Sequence, residues 1–215
     1  MLRMPDIDGV QGALNGANDM DKTYLSCADT AKLIRAALAE AFPGVKFSVR
    51  SSVYSGGASI NIRWTDGPTS RQVKSIADHF EGSYFDGMID YKGCIYHRLD
   101  GRPVSLGADF VFENRDLSDA KVAEAIGEVV RCYGGCEPIT VEDYRQGRAW
   151  NWRNSGGCDL SRALNLWLSG ESEADWITAD KGIPPKESKT AKRLQFAGSD
   201  EYGAPYGSGG YPRAA

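Results

Sequence analysis

Two neighbouring runs of alternating apolar and polar residues constrain the fold of this 215-residue chain most. The first covers residues 45–50, the second covers residues 58–65, and a Ser-Gly-Gly segment at 55–57 separates them. Successive side chains of a strand point to opposite faces, so each run predicts a half-buried strand. The pair is expected to form an antiparallel hairpin with one solvated face. The apolar members, which would face the core, are Val45, Phe47, Val49, Ala58, Ile60, Ile62 and Trp64.

Three apolar stripes with helical spacing predict amphipathic helices that begin near Cys27, Thr69 and Asp119. A shorter stripe from Leu160 to Leu168 predicts a last helix, which ends at Gly170. Further alternation around residues 94–97 and 108–112 predicts two more strands. The pattern therefore indicates an α+β fold: a small antiparallel sheet, the three amphipathic helices that begin near Cys27, Thr69 and Asp119 on one of its faces, and a short helical C-terminal annex.

Composition divides the chain into four predicted parts. Residues 1–22 form a flexible leader, 23–113 the α+β domain, 114–183 a helical annex packed on that domain, and 184–215 a disordered tail. The tail is rich in Lys, Ser, Gly, Pro and Tyr, and such a segment buries too little apolar area to offset its ordering entropy.

Charge and cysteine content limit the function classes. The net charge of −4 argues against a generally basic, phosphate-binding surface, although a local basic patch stays open. The sequence shows neither a long apolar run nor a signal peptide, so we expect a cytoplasmic protein. Five cysteines, an odd number, are expected to be free thiols.

The chain contains the run YLSCADTAKLIRAALAEAFPGVKFSVRSSVYSGGASINIRWTDGP, followed by FEGSYFDGMIDY and then GADFVF. These segments, of which YSGG and WTDGP are the most specific, resemble a large polyvalent protein-associated domain of class twenty-nine over residues 24–113. Such domains occur in proteins of phages, plasmids and integrative conjugative elements, sometimes fused to nuclease-like, DNA-binding or antirestriction modules. The resemblance implies a mobile-element accessory protein with a counter-defence role, as an inhibitor of the antirestriction or anti-CRISPR type. It implies no catalytic residues.

The solvated face of the hairpin is the candidate binding surface. Its predicted binding residues are Arg50, Tyr54, Asn61, Arg63 and Thr65. Arginine and tyrosine are favoured at interfaces because each combines a large contact area with hydrogen bonding. An ordinary solvated sheet face is the alternative. Binding is favoured if Arg50 and Arg63 lie on neighbouring strands and point to one place.

Neither a catalytic constellation nor a cofactor is predicted, so a non-enzymatic function is favoured. An acidic cluster of Asp66, Asp86 and Asp90 is a weak alternative for metal binding or acid–base chemistry. A zinc protein or small hydrolase is a further alternative, since Cys-containing pairs supply zinc ligands. Its ligand set would be Cys94, His97, Cys132 and Cys136.

The predicted partner is a macromolecule, namely a host or element-encoded protein of a defence or DNA-processing complex. A nucleic-acid-binding protein for the transfer of conjugative or phage DNA is the alternative. Residues 114–183 carry eight basic and twelve acidic side chains, so the annex could instead mimic a phosphate array through acidic residues such as Glu142, Asp143 and Asp175. No membrane partner is expected.

Overall fold

A computed structural model describes residues 22–171 and 179–200, and it confirms the α+β class. The strands are β1 (Thr23–Leu25), β2 (Ser48–Tyr54), β3 (Gly57–Thr65), β4 (Ser83–Asp86), β5 (Tyr91–Leu99), β6 (Arg102–Leu106), β7 (Phe110–Asp116) and β8 (Leu194–Ser199). The helices are α1 (Cys27–Ala41), α2 (Ser70–Ala77), α3 (Asp119–Tyr133), α4 (Val141–Arg145), α5 (Leu160–Ser169) and α6 (Lys189–Arg193). Short 3-10 helices lie at Asp78–Phe80 and Arg148–Asn151. In the described part of the chain, no helix combines the length and apolar character needed to cross a membrane.

The strands form two sheets, which corrects the prediction of a single antiparallel sheet. In the three-stranded sheet, β2 and β3 form the predicted antiparallel hairpin, and β7 joins β3 in parallel. The five-stranded sheet runs β1-β6-β5-β4, and β8 pairs with the same strand β5. Alternation within a strand shows which of its residues face the core, but it does not select the distant strand with which it pairs.

One hydrophobic core joins the two sheets to α1 and α2. Ile60 and Ile62 are fully buried, as the hairpin pattern predicts. Phe42, at the end of α1, and Phe80, in the first 3-10 helix, are also fully buried in this core. Ser26 caps α1 through the backbone N–H of Asp29. The helix starts predicted near Cys27 and Thr69 are confirmed.

A second core lies in the annex, where α3 packs against α5. It buries Val122 and Val129 of α3 against Leu164 and Trp167 of α5. The start of α3 at Asp119 is confirmed, but its predicted position on the sheet is wrong. A helical apolar stripe identifies the buried face and leaves its partner undetermined, and here α5 supplies the matching stripe.

The predicted disorder of residues 184–215 is wrong for residues 184–200, which return to the first core. The backbone N–H of Lys186 donates to the carbonyl of Ala41 at 2.8 Å, and the hydroxyls of Ser188 and Thr190 donate to Glu40. β8 then pairs with β5. This segment is held mainly by hydrogen bonds, many of them from the backbone. A prediction of disorder that counts only the apolar residues of the segment does not take these hydrogen bonds into account. The leader through residue 21 and the tail from residue 201 lie outside the described residues.

A buried arginine connects the annex to the α+β domain. The Arg115 guanidinium donates to the carbonyls of Asp66, Gly67 and Leu168 and to the carboxylate of Asp180. The Arg115 and Asp180 side chains are only 5% and 7% exposed. This junction therefore joins the end of β7, the turn after β3, the end of α5 and the segment after residue 179.

Candidate binding face

The outer face of the three-stranded sheet brings the predicted binding residues together. Across β2 and β3, Arg50 is paired with Asn61, and Ser48 is paired with Arg63. β7 extends both rows, because Asn61 is also paired with Phe112 and Arg63 with Asn114. We call this surface the arginine face; it consists of Ser48, Arg50, Tyr54, Asn61, Arg63, Thr65, Phe112 and Asn114.

Alternation along the strands produces this arrangement. Val49, Ile60 and Ile62 point into the core and are buried, so their neighbours Arg50 and Arg63 point outward and are exposed. The two arginines occupy diagonal positions on adjacent antiparallel strands, and residues in such positions lie about 7–8 Å apart. Arg50 and Arg63 therefore lie on neighbouring strands and on the same face of the sheet.

Neither of these arginines is neutralised by the described residues. In residues 22–171 and 179–200, no hydrogen bond or ion pair is formed by the guanidinium of Arg50 or of Arg63, whereas Arg115, Arg131 and Arg193 each hold a carboxylate. The one exposed carboxylate in register with the face is Asp116, which is paired with Thr65 at its end. The centre of the face therefore carries two positive charges.

Two exposed aromatic rings accompany the arginines. The side chains of Tyr54 and Phe112 are 50% and 49% exposed. Tyr54 lies opposite Gly57, and a Cβ atom on that glycine would be 3.2 Å from the tyrosine ring. The missing side chain thus lets the ring lie across the strand. The sequence predicts a strand at residues 108–112, but only the parallel register of β7 shows that Phe112 joins the arginine face.

Asp109 connects the two sheets beside this face. Its carboxylate accepts hydrogen bonds from the backbone N–H of Ala58 at 2.8 Å and from the Ser83 hydroxyl at 3.0 Å, and it pairs with Lys92 at 2.8 Å. Burial alone would raise the pKa of Asp109, but the hydrogen bonds from Lys92, Ala58 and Ser83 together lower it. Lys92 is therefore compensated and adds little charge to the arginine face.

Three carboxylates lie behind the face, against the inner side of β7, and sequence reasoning missed them. Burial raises the pKa of Glu81 and of Glu113 to about 7, and it also raises the pKa of Asp78. Glu81 accepts the backbone N–H of Val111 at 2.8 Å, and Lys74 lies 3.7 Å from Asp78. The signal was Glu113 itself, which occupies a core-facing position two residues after Val111. Because these three carboxylates lie on the inner side of the sheet, their titration is expected to change the stability of the protein and not the properties of the outer face.

The alternative zinc set is not assembled. Cys94 is exposed on β5, whereas His97, three residues along the same strand, is buried on the other side. Cys132 and Cys136 lie in the annex. Among the described residues, no group of three or more potential ligands is placed to hold a metal ion. Burial lowers the pKa of His97 to about 4, so it is neutral at physiological pH.

The other acidic candidates have local roles. Asp66 adopts a φ of 53° in the turn after β3, and its carboxylate accepts the backbone N–H of Ser118 at 2.9 Å. In the annex, Thr140 caps α4 by accepting the backbone N–H of Asp143; the Asp143 carboxylate accepts the backbone N–H of Thr140 in return and pairs with Arg148. Asp175 lies outside the described residues. Of the residues predicted for the phosphate mimic, Asp143 therefore already has a cationic partner.

These features define an α+β domain that presents a basic and aromatic sheet face to solvent. Residues 25–118 match the model of a family described as large polyvalent protein associated domain 29, which confirms the resemblance seen in the sequence. The match begins at the last residue of β1 and includes all of the arginine face. Domains of this family are associated with polyvalent proteins of mobile elements. Searches of curated proteins and of solved structures found no match.

Proposed function

We propose that this protein is a non-enzymatic accessory factor of a mobile element, and that it acts in the host cytoplasm by binding a macromolecule through the arginine face. The proposed role is counter-defence: the protein protects incoming DNA by engaging a component of host restriction or CRISPR immunity. The family match supports the mobile-element setting. The observation that carries the binding proposal is the pair Arg50 and Arg63, exposed and unpaired with described residues on one face.

Unpaired arginines beside aromatic rings suit binding better than they suit stability. An exposed arginine contributes little to folding, whereas an arginine anchored at an interface can dominate the binding energy. Since neither guanidinium is held by a described carboxylate, a partner need not displace an existing ion pair.

Capture from host lysate by the tagged full-length chain tests this proposal. Arg50→Ala and Arg63→Ala should each weaken capture by roughly 30-fold, as expected for an anchor worth about 2 kcal/mol. Their thermal stability should change by only a few tenths of a kcal/mol. Arg131→Ala removes the same charge from the annex and is the matched control, for which capture should be unchanged.

A different outcome would move the interface to the annex. If both arginine variants capture normally while charge reversal at Glu142 and Asp143 abolishes capture, the arginine face is not the binding surface.

The second candidate is a nucleic-acid-binding protein, and the exposed rings of Tyr54 and Phe112 favour it. The same capture experiment with nuclease treatment separates the two. A protein partner survives the treatment, and a nucleic-acid partner does not.

A further inference from the structure

We infer that the occupant of the arginine face is single-stranded nucleic acid, with bases stacked on Phe112 and Tyr54 and phosphates held by Arg50 and Arg63. This inference rests on the proposed binding role of the arginine face, and it develops the second candidate, in which nucleic acid rather than a host protein occupies that face. It also revises the order of partners expected from the sequence, in which a host protein came first.

Local charge is the first argument. The chain as a whole has a net charge of −4, which disfavours non-specific binding to phosphates over its entire surface. The arginine face differs from this average, since it carries two uncompensated arginines and a single carboxylate, Asp116, at one end. The arginine face therefore offers an anionic partner a local positive charge, although the chain as a whole is acidic.

The aromatic rings are the second argument, and they separate nucleic acid from an acidic protein. An acidic protein surface would complement the arginines but would leave Phe112 and Tyr54 facing charged groups. Nucleic acid supplies a phosphate and a flat ring in every unit, so it matches both features at once. Asn61, which lies between Arg50 and Phe112 in the sheet, adds an amide that can donate to and accept from a base edge.

The shape of the face favours a single strand. Bases in a duplex are stacked on each other, whereas unpaired bases can lie on exposed side chains. Neighbouring strands of a sheet lie about 4.8 Å apart. Arg50 and Phe112 are two strand spacings apart, so a single strand crossing the sheet can reach both.

Fluorescence anisotropy with the purified full-length chain tests the inference. The probes are labelled oligo(dT) and oligo(rU) of about 12 nucleotides, with a duplex of similar length for comparison. We expect both single strands to bind more tightly than the duplex. With two phosphates neutralised, the logarithm of the association constant should fall with the logarithm of salt concentration at a slope of about −1.4.

The variants separate charge from stacking. Arg50→Ala and Arg63→Ala should each reduce the magnitude of the slope by about 0.7. Phe112→Ala should weaken binding roughly 5- to 150-fold without changing the slope, because it removes a stacking partner and no charge. Phe112→Tyr keeps an aromatic ring and should retain affinity. Arg131→Ala is the charge-matched control, and circular dichroism of every variant checks folding.

The outcomes distinguish this inference from the proposed function. Equal affinity for duplex and single strands, or unchanged binding by Phe112→Ala, overturns the inference. If oligonucleotides do not bind but lysate capture resists nuclease and depends on Arg50 and Arg63, the occupant is a protein; the proposed function then stands and the inference is wrong. If neither lysate capture nor oligonucleotide binding depends on Arg50 or Arg63, both are wrong.

Discussion

Replacing Arg115 by alanine should disconnect the annex from the α+β domain. The guanidinium makes hydrogen bonds of 3.0 and 2.9 Å to the carbonyls of Asp66 and Leu168, and one of 2.6 Å to Asp180. The substitution leaves the buried Asp180 carboxylate without its closest cation, although Lys121 stays 3.5 Å away and the backbone N–H of Gly182 stays 3.1 Å away.

The expected destabilisation is about 3–5 kcal/mol, the usual cost of removing one partner of a buried ion pair. The remaining contacts of Asp180 place the value toward the lower end of that range. For a chain of this size the midpoint of thermal unfolding should fall by roughly 6–20 °C. Arg131→Ala breaks an exposed pair with Glu128 and should cost only a few tenths of a kcal/mol.

Urea unfolding followed by circular dichroism measures both changes. The combined variant Arg115→Met with Asp180→Leu should be less destabilised than the sum of the two single variants, because it removes both buried charges together. If Arg115→Ala costs no more than Arg131→Ala, the junction does not hold the annex in place and the reasoning is refuted.

Three further predictions concern the cores and the thiols. Burial raises the pKa of Glu113 from 4.5 to about 7, so the folded state favours the protonated side chain, and this contribution to stability is present at low pH and is lost as the pH rises through 7. Between about pH 5 and pH 8, the free energy of unfolding of Glu113→Gln in urea titrations should therefore be about 1–2 kcal/mol higher than that of the wild type. Ile60→Ala should lower the free energy of unfolding by roughly 2–5 kcal/mol through a core cavity, and a loss below about 1 kcal/mol would contradict its full burial. In native thiol titration, the exposed Cys94 and Cys158 should react quickly and the buried Cys27, whose pKa burial raises, slowly; equal rates would count against this assignment.

The sequence predicted well those features that depend on neighbours in the chain. The starts of three helices follow from capping residues and helical spacing, and the β2–β3 hairpin follows from alternation around residues 55–57. All five predicted binding residues lie on the two hairpin strands, and alternation made the shared face of Arg50, Asn61, Arg63 and Thr65 predictable.

Features that depend on distant pairing were not predictable from local patterns. Phe112 reaches the arginine face because β7 pairs in parallel with β3, about fifty residues earlier in the chain. The prediction placed α3 on the sheet because an apolar stripe shows which face of a helix is buried and does not show what it packs against. The position of β8 depends on unpaired backbone groups along β5, which the composition of residues 194–199 does not reveal.

The segment that matches the family model is smaller than the unit that folds. Residues 25–118 contain the arginine face, yet the edge of β5 is completed by β8 and the end of α1 is completed by residues 186–190. Asp200 extends this connection, because its carboxylate accepts hydrogen bonds from Tyr84, from Tyr91 and from the backbone N–H of Cys94. A fragment ending at residue 118 would therefore expose backbone donors and acceptors along β5 and leave Glu40 without its hydroxyl partners. All residues of the arginine face lie on β2, β3 and β7, so the proposed binding surface is encoded within the matched segment, while the stability of that segment depends on residues that follow the annex.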